Sequence, residues 1–190
     1  MPEQPGASEP GLTLNDLVVL AVLGEGPAHG FALSRLLAPG SDLGRILTLR
    51  RAQVYRAIDR LAAAGLIEPT SIEPGDAGPK RTVFAVTEAG WYPIEAWLAR
   101  PVEHVRDLRV EFLIKLRLLE RRDRDASGLL AAQRRALGPT LDRLAAGGTA
   151  SGSDRGRAGD RDDGDVVDRW RATTAEAAAR FLGHDLLDGR

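Results

Sequence analysis

Residues 49–86 read LRRAQVYRAIDRLAAAGLIEPTSIEPGDAGPKRTVFAV. Val54, Ile58 and Leu61 recur at i, i+4, i+7 and define the core face of a helix over about Arg50 to Ala64. Gln53, Arg56 and Arg60 lie on the opposite face, and Gly65 stands where a helix ends in the left-handed conformation. Leu66 to Ile72 and Arg81 to Val86 alternate well enough for two strands, with PGDAGP at 74–79 as the hairpin tip. A basic helix followed by a hairpin with Lys80 and Arg81 at its exit is the order of parts in a winged helix-turn-helix. In that architecture the helix enters the major groove of DNA and the hairpin lies on the flanking backbone.

The preceding segments complete such a domain. Leu14 to Leu23 reads as a mostly buried helix, with Thr13 or Asn15 as N-cap and Gly24, Gly26 and Pro27 as its stop. A second helix is predicted over Ala28 to Leu37, ended by Pro39-Gly40. Ser41 to Leu47 is a connector with room for one helical turn. After the wing, Thr87 caps a fourth helix through Trp91 and Trp97 to about Ala99, and Glu88 suits its positive end. The expected fold is mostly α with a small β-hairpin wing: a Pro/Gly/Glu-rich disordered tail at 1–12, a winged helix-turn-helix domain at 13–100, and a helical region at 101–190.

In that last region, Val105, Leu108, Phe112, Leu116 and Leu119 form an apolar stripe at 3–4 spacing, with Glu111 and Lys115 as an i, i+4 pair. Asp123 to Leu144 is a second helical stretch, expected to kink or break at Gly138-Pro139. Residues 147–164 are rich in Gly, Asp, Arg and Ser, hold nothing apolar larger than alanine, and read as a disordered linker. Asp165 to Leu182 returns to helix, with Val167, Trp170, Thr174, Ala177 and Phe181 at coiled-coil-like spacing. A helix this short needs a partner surface. Val105, Leu108, Phe112, Leu116, Leu119, Val167, Trp170 and Phe181 are therefore the candidate dimerisation residues.

Four segments in order resemble the PadR family of bacterial transcriptional regulators. AHGFALSRLL at 28–37 is similar to the family's His-Gly-aromatic second helix, and VYRAIDRLAAAGLIE at 54–68 to its Tyr-x-x-Leu-x-x-Leu-x-x-x-Gly-Leu-Ile run. GPKRTVFAVTEAG at 78–90 is similar to its basic wing and the Thr-x-x-Gly that opens the fourth helix. RDLRVEFLIKL at 106–116 is similar to the larger subfamily with a long helical C-terminal region. Ile58 departs from a usual leucine, and Phe84 from a common tyrosine, which removes a hydroxyl and keeps the ring. The resemblance implies a homodimeric repressor of transcription that a small ligand releases from DNA.

The remaining features bound this reading. The formal net charge is −1, so nucleic-acid contact has to come from local clusters. The absence of cysteine excludes disulfides, thiolate zinc sites and a thiol nucleophile. The opening MPEQPGASEPG has no basic n-region or apolar h-region, and the longest apolar run, Leu17 to Leu23, is too short to span a bilayer. A cytoplasmic location without membrane contact is expected. His29, His104 and His184 share no metal-ligand spacing, and no catalytic or phosphate-loop motif occurs, so neither an enzyme, a metal nor a cofactor is expected.

The candidate DNA-binding residues are Arg50, Arg51, Gln53, Tyr55, Arg56, Arg60, Lys80 and Arg81. Arginines in the first turn of the third helix oppose the helix dipole, and phosphate binding supplies a reason for them. Arg56 and Gln53 have the chemistry to read base edges, guanine and adenine respectively. The expected partners are double-stranded DNA with an inverted-repeat operator, a second copy of the chain, and a small effector. Trp91, Trp97 and Trp170 are the candidate surfaces for an aromatic effector, against the commoner role of core or interface. Two other functions fit a winged helix: a protein-interaction module, and a ligand-responsive regulator of another winged-helix family.

Overall fold

The structure, a computed structural model, describes residues 11–74, 80–150 and 166–183. Most of the expected tail, the hairpin tip from 75 to 79 and the linker from 151 onward lie outside the described residues. The elements are α1 (Leu14–Leu23), β1 (Ala28–His29), α2 (Gly30–Leu36), α3 (Arg51–Ala63), β2 (Ile67–Glu73), β3 (Arg81–Val86), α4 (Glu88–Ala99), a 3-10 turn (Val105–Arg109), α5 (Glu111–Arg121), α6 (Ser127–Ala150) and α7 (Val166–Gly183). They form two units. One comprises Met1–Ala99 with Ile114–Arg124, the other Arg100–Leu113 with Asp125–Arg190. The C-terminal part of α5 thus counts with the winged helix, a division that the composition change at Pro101 does not signal.

In the first unit α1 is buried almost all round, with Val18 through Leu23 at 3% exposure or less. A helix apolar on every side belongs at the centre of a core. Val54, Ala57, Ile58 and Leu61 of α3 are buried, as the spacing requires, and the face bearing Arg56 and Arg60 is exposed. Gly65 follows α3 at φ +70°, which a residue with a Cβ adopts only at a cost. The sheet is antiparallel in the order β1-β3-β2. Its third strand is a correction to the expected helix from Ala28. Ala28 and His29 are extended and pair with Phe84 and Val83, and α2 starts only at Gly30. The cause is local: His29 Nδ1 accepts the Ala32 amide at 3.0 Å, and a residue capping in this way must itself be extended. The outer strand β2 carries Pro69, with an irregularity between Pro69 and Ser71, as suits an edge.

One buried carboxylate organises this unit. Asp16 is 1% exposed. Its Oδ2 accepts from the Thr13 amide at 3.0 Å and the Thr13 hydroxyl at 2.6 Å, so Thr13, not Asn15, caps α1. Arg60 of α3 donates to the same carboxylate, Nε at 3.1 Å to both oxygens and Nη2 at 2.5 Å to Oδ1. Burial alone pushes the Asp16 carboxyl up, but the bonds from Arg60 and Thr13 outweigh it and hold the group below its ordinary value.

A second set of ion pairs fixes the end of α5 within this unit. Arg117 Nε donates to both Asp42 oxygens at 2.8 and 2.9 Å. Arg121 Nε reaches Glu25 at 2.8 Å, and Arg124 Nη1 reaches Glu95 at 2.7 and 2.6 Å. The Arg122 guanidinium donates to the Ala21 carbonyl. Lys115 is fully buried, with its ammonium 5.2 Å from the centroid of Trp97.

In the second unit α6 and α7 pack together. Gln133 of α6 is buried and brackets Val102: its Oε1 accepts the Val102 amide at 2.8 Å and its Nε2 donates to the Val102 carbonyl at 2.9 Å. Three expectations are corrected here. The stripe from Val105 is not one helix but a 3-10 turn followed by α5. α6 does not break at Gly138-Pro139; Leu137 and Leu141 on either side are both 2% exposed, and this burial holds the helix through the proline. The helix also continues to Ala150, four residues into the stretch read as linker.

The buried ion pair makes a stability prediction. Arg60→Met leaves a buried carboxylate without its cation and should cost about 2–4 kcal/mol, whereas Asp16→Asn leaves only a half-exposed arginine and should cost less. Because the folded-state pKa of Asp16 is depressed, its contribution is present above the unfolded value and is lost as pH falls through the folded one. The gap between wild type and Arg60→Met in urea denaturation should therefore narrow below about pH 4. A gap independent of pH would show that the pair is not the source.

Candidate nucleic-acid interface

The start of α3, the start of α2 and the exit of the wing meet around a cavity of about 430 Å³. Arg51, Lys80 and Arg81 line it as cations, Phe31 and Tyr55 as aromatics, and Asp59 is the acid in its wall. None of the three cations forms a salt bridge with an acid among the described residues. The two arginines lie against rings instead. The Arg81 guanidinium carbon lies 5.1 Å from the Phe31 centroid, and that of Arg51 lies 5.8 Å from Phe31 and 5.5 Å from Tyr55. Phe31 and Tyr55 are 38% and 39% exposed, high for large aromatics that serve no core.

The residues expected from sequence fall into two groups. Arg51, Tyr55, Lys80 and Arg81 are brought together, with Arg50 just ahead of α3 and exposed. Arg56 is exposed on α3, its Nε bonded to the Ala52 carbonyl of its own helix at 3.3 Å. Arg60 is placed otherwise: its guanidinium is neutralised by Asp16, so the pair binds α3 to α1. Gln53 is partly engaged, since its Oε1 accepts the Arg50 amide at 2.8 Å. Two-pronged reading of adenine needs both ends of the amide, and here the oxygen already caps α3.

The His-Gly-aromatic run is visible in the sequence, where His29 suits a helix cap or a surface position and Gly30 and Phe31 have no assigned role. Each has one. His29 caps α2. Gly30 makes room for Tyr55: a Cβ there would lie 2.9 Å from Tyr55 Cζ and 3.1 Å from Ile58 Cδ1. Phe31 carries the two guanidiniums.

The dimerisation and effector candidates also separate by burial. Leu108, Phe112 and Leu119 are at most 8% exposed in the single chain, so their surface is already used within it. A 3–4 stripe reports that a face is covered, not by what. Val105, Leu116 and Phe181 are half-buried. Val167 and Trp170 are exposed at 42% and 71%, and Val166 beside them at 69%. The side of α7 that is buried instead carries Ala172, Ala175 and Leu182. Trp97 is closed to a ligand at 5% exposure, while Trp91 is 42% exposed. Among the described residues no cluster of acidic or histidine side chains could hold a metal ion, and no helix is long and apolar enough to cross a membrane.

Residues 19–95 match the transcriptional regulator PadR-like family, so the winged helix is a PadR-like domain. Among solved structures, Bacillus subtilis PadR in complex with operator DNA is similar at 17% identity and a TM-score of 0.44, over 88% of this chain and 94% of that one. Bacillus subtilis PadR in complex with p-coumaric acid is 18% identical, with a TM-score of 0.42 over 90% and 95%. The smu.1604c protein of Streptococcus mutans UA159 is 14% identical, with a TM-score of 0.41 over 88% and 95%. Among curated proteins there is no match.

The close approach at Gly30 is testable. Gly30→Ala should displace the Tyr55 ring and destabilise the domain by about 1–2 kcal/mol, against the small gain a helical alanine normally brings. In a Tyr55→Ala background most of that cost should vanish when the two are compared by urea denaturation. Equal costs in both backgrounds would mean that the ring is not what Gly30 accommodates.

Proposed function

We propose that the PadR-like domain at 19–95 makes this protein a sequence-specific DNA-binding transcriptional regulator, acting as a homodimeric repressor. The observation that carries the reading is the group of three cations around one cavity, Arg51, Lys80 and Arg81, without acidic partners among the described residues. Arg60, and Arg117, Arg121 and Arg124 of α5, are by contrast paired with acids. Gathering like charges at one place costs free energy that a phosphodiester backbone returns, with release of its counterions. Arg50, Arg51, Lys80 and Arg81 are assigned to phosphates, and Arg56, exposed on α3, to a base edge.

Two-fold symmetry follows from the mechanics of reading. One short helix distinguishes only a few base pairs, and linked copies multiply that discrimination. The half-sites of an inverted repeat then lie about 34–36 Å apart, one helical turn. The surface assigned to self-association is that of Val166, Val167 and Trp170, an apolar patch that α7 leaves exposed in the single chain. Release by a small effector rests on the family resemblance alone; Trp91 and Trp170 are the tryptophans open to such a ligand.

Salt-titrated binding to duplex DNA tests the assignment. Alanine at Arg51, Lys80 or Arg81 should weaken all duplexes alike and lower the slope of log affinity against log salt by about one unit each. Arg60→Met, compared while still folded, should leave the slope unchanged. Arg56→Ala should flatten preference at one position of each half-site, about 1–3 kcal/mol of discrimination, while sparing non-specific binding. Slopes identical in all of these variants would remove the electrostatic argument. For assembly, Trp170→Glu with Val167→Glu should shift the sedimentation of the full chain to the monomer. A dimer that persists in that variant would exclude α7 as the interface.

A further inference from the structure

Phe31 is a large aromatic side chain left 38% exposed at the first turn of α2, outside both the recognition helix and the wing. It is not among the buried core side chains. Two arginines from different elements approach its ring, Arg51 of α3 at 5.8 Å and Arg81 of β3 at 5.1 Å. The positions are separated by 20 and 50 residues in the chain, so only the fold brings them together. From the juxtaposition of Phe31, Arg51 and Arg81 around the cavity, we infer that Phe31 is a positioning residue that holds the two guanidiniums as a clamp for one backbone phosphate of duplex DNA.

A free arginine side chain loses about 2 kcal/mol of rotamer entropy when it is fixed, and a binding surface that must fix it at the moment of contact loses affinity by that amount. A ring face attracts a guanidinium without neutralising it, so stacking removes rotamer freedom and leaves every N–H donor for the ligand. An acidic partner would order the same arginine but cancel its charge, which is the state of Arg60 beside Asp16 and Arg117 beside Asp42. Phe31 therefore does what a carboxylate could not. The surrounding residues fix the ring: His29 caps the first turn of α2, and His29 and Phe31 stack at 6.2 Å between centroids. Gly30 admits Tyr55, whose ring also approaches Arg51, at 5.5 Å. The His-Gly-aromatic run thus has one purpose in three parts: start the helix, clear space for a second ring, and present the first.

Two cations on one ring repel each other, which singles out an anion as the occupant. Lys80 lines the same cavity and adds a third positive charge against the one acid, Asp59. The ligand committed to is a phosphodiester of the DNA backbone, because the cavity lies between the recognition helix and the wing. The inference rests on the DNA-binding function proposed above and adds an uncharged residue to it.

The test measures affinity of the full chain for duplexes of operator and unrelated sequence at fixed salt. Each exposed cation–π contact is worth about twofold to fivefold in an equilibrium constant. Phe31→Leu should therefore weaken binding to both duplexes by about fivefold or more, with the salt slope unchanged because no charge is lost. Phe31→Tyr, which keeps the ring, should restore affinity. Repeating Phe31→Leu in an Arg51→Ala, Arg81→Ala background should cost nothing further. Thermal melting of each variant confirms that it is folded, and if Phe31→Leu unfolds, Phe31→Met takes its place. A folded Phe31→Leu or Phe31→Met protein with wild-type affinity, or a loss of the same size in the doubly substituted background, overturns the clamp. Wild type that binds DNA and weakens on Arg51→Ala, while Phe31→Leu has no effect, refutes this inference and leaves the proposed function standing. Wild type that binds no duplex refutes both.

Discussion

Asp16 is a carboxylate placed in the most deeply buried helix of the chain, and Arg60 of α3 is what makes it tolerable there. An unpaired buried charge is among the costliest features a small domain can carry, so the geometry of α3 against α1 is tightly specified. The same carboxylate closes the capping box at Thr13, so the start of α1 and the pose of α3 depend on one group. α3 in turn positions Arg51 and Tyr55 opposite Phe31 and the wing. The ionic contact lies outside the cavity's lining but helps to set the pose of α3, whose basic end faces it.

Charge is distributed unevenly between places of different purpose. The formal net charge of −1 covers both arginines that are paired with acids and arginines that are not. Arg117, Arg121 and Arg124 at the end of α5 are paired with Asp42, Glu25 and Glu95, and Arg117 holds the Asp42 carboxyl below its ordinary value. Such pairs give direction to packing without leaving a field outside the molecule. Arg51 and Arg81 rest on rings instead, which orders them and keeps their charge available. An acidic partner cancels an arginine's charge in these pairs, whereas an aromatic partner leaves it in place.

In the second unit the division is between two sides of one helix. α7 buries Ala172, Ala175 and Leu182 and leaves Val166, Val167 and Trp170 exposed. Gln133 anchors α6 to the chain at Val102 by satisfying both backbone groups of one residue, a contact that rewards a polar side chain in an otherwise apolar place.

The local patterns were legible from the sequence. The 3.6-residue period marked the core face of α3, Gly65 marked its end, and alternation marked β2 and β3, because each of these is set by neighbours within a turn or a strand. The basic ends of α3 and of the wing were legible for the same reason. What sequence could not fix was the partner of each side chain. Arg60 and Arg56 share a helix face at i, i+4 and are chemically identical, yet one meets a carboxylate 44 positions away and the other meets solvent. The proline in α6 signalled a break that burial on both sides overrode, and the stripe from Val105 to Leu119 revealed covered surface without saying what covered it. Phe31 is simply an apolar residue in the sequence, and only the fold brings two arginines to its ring. Propensity and periodicity are local energies and belong to the sequence; charge pairing, burial and cation–π contact depend on distances across the chain, and only the tertiary structure decides them.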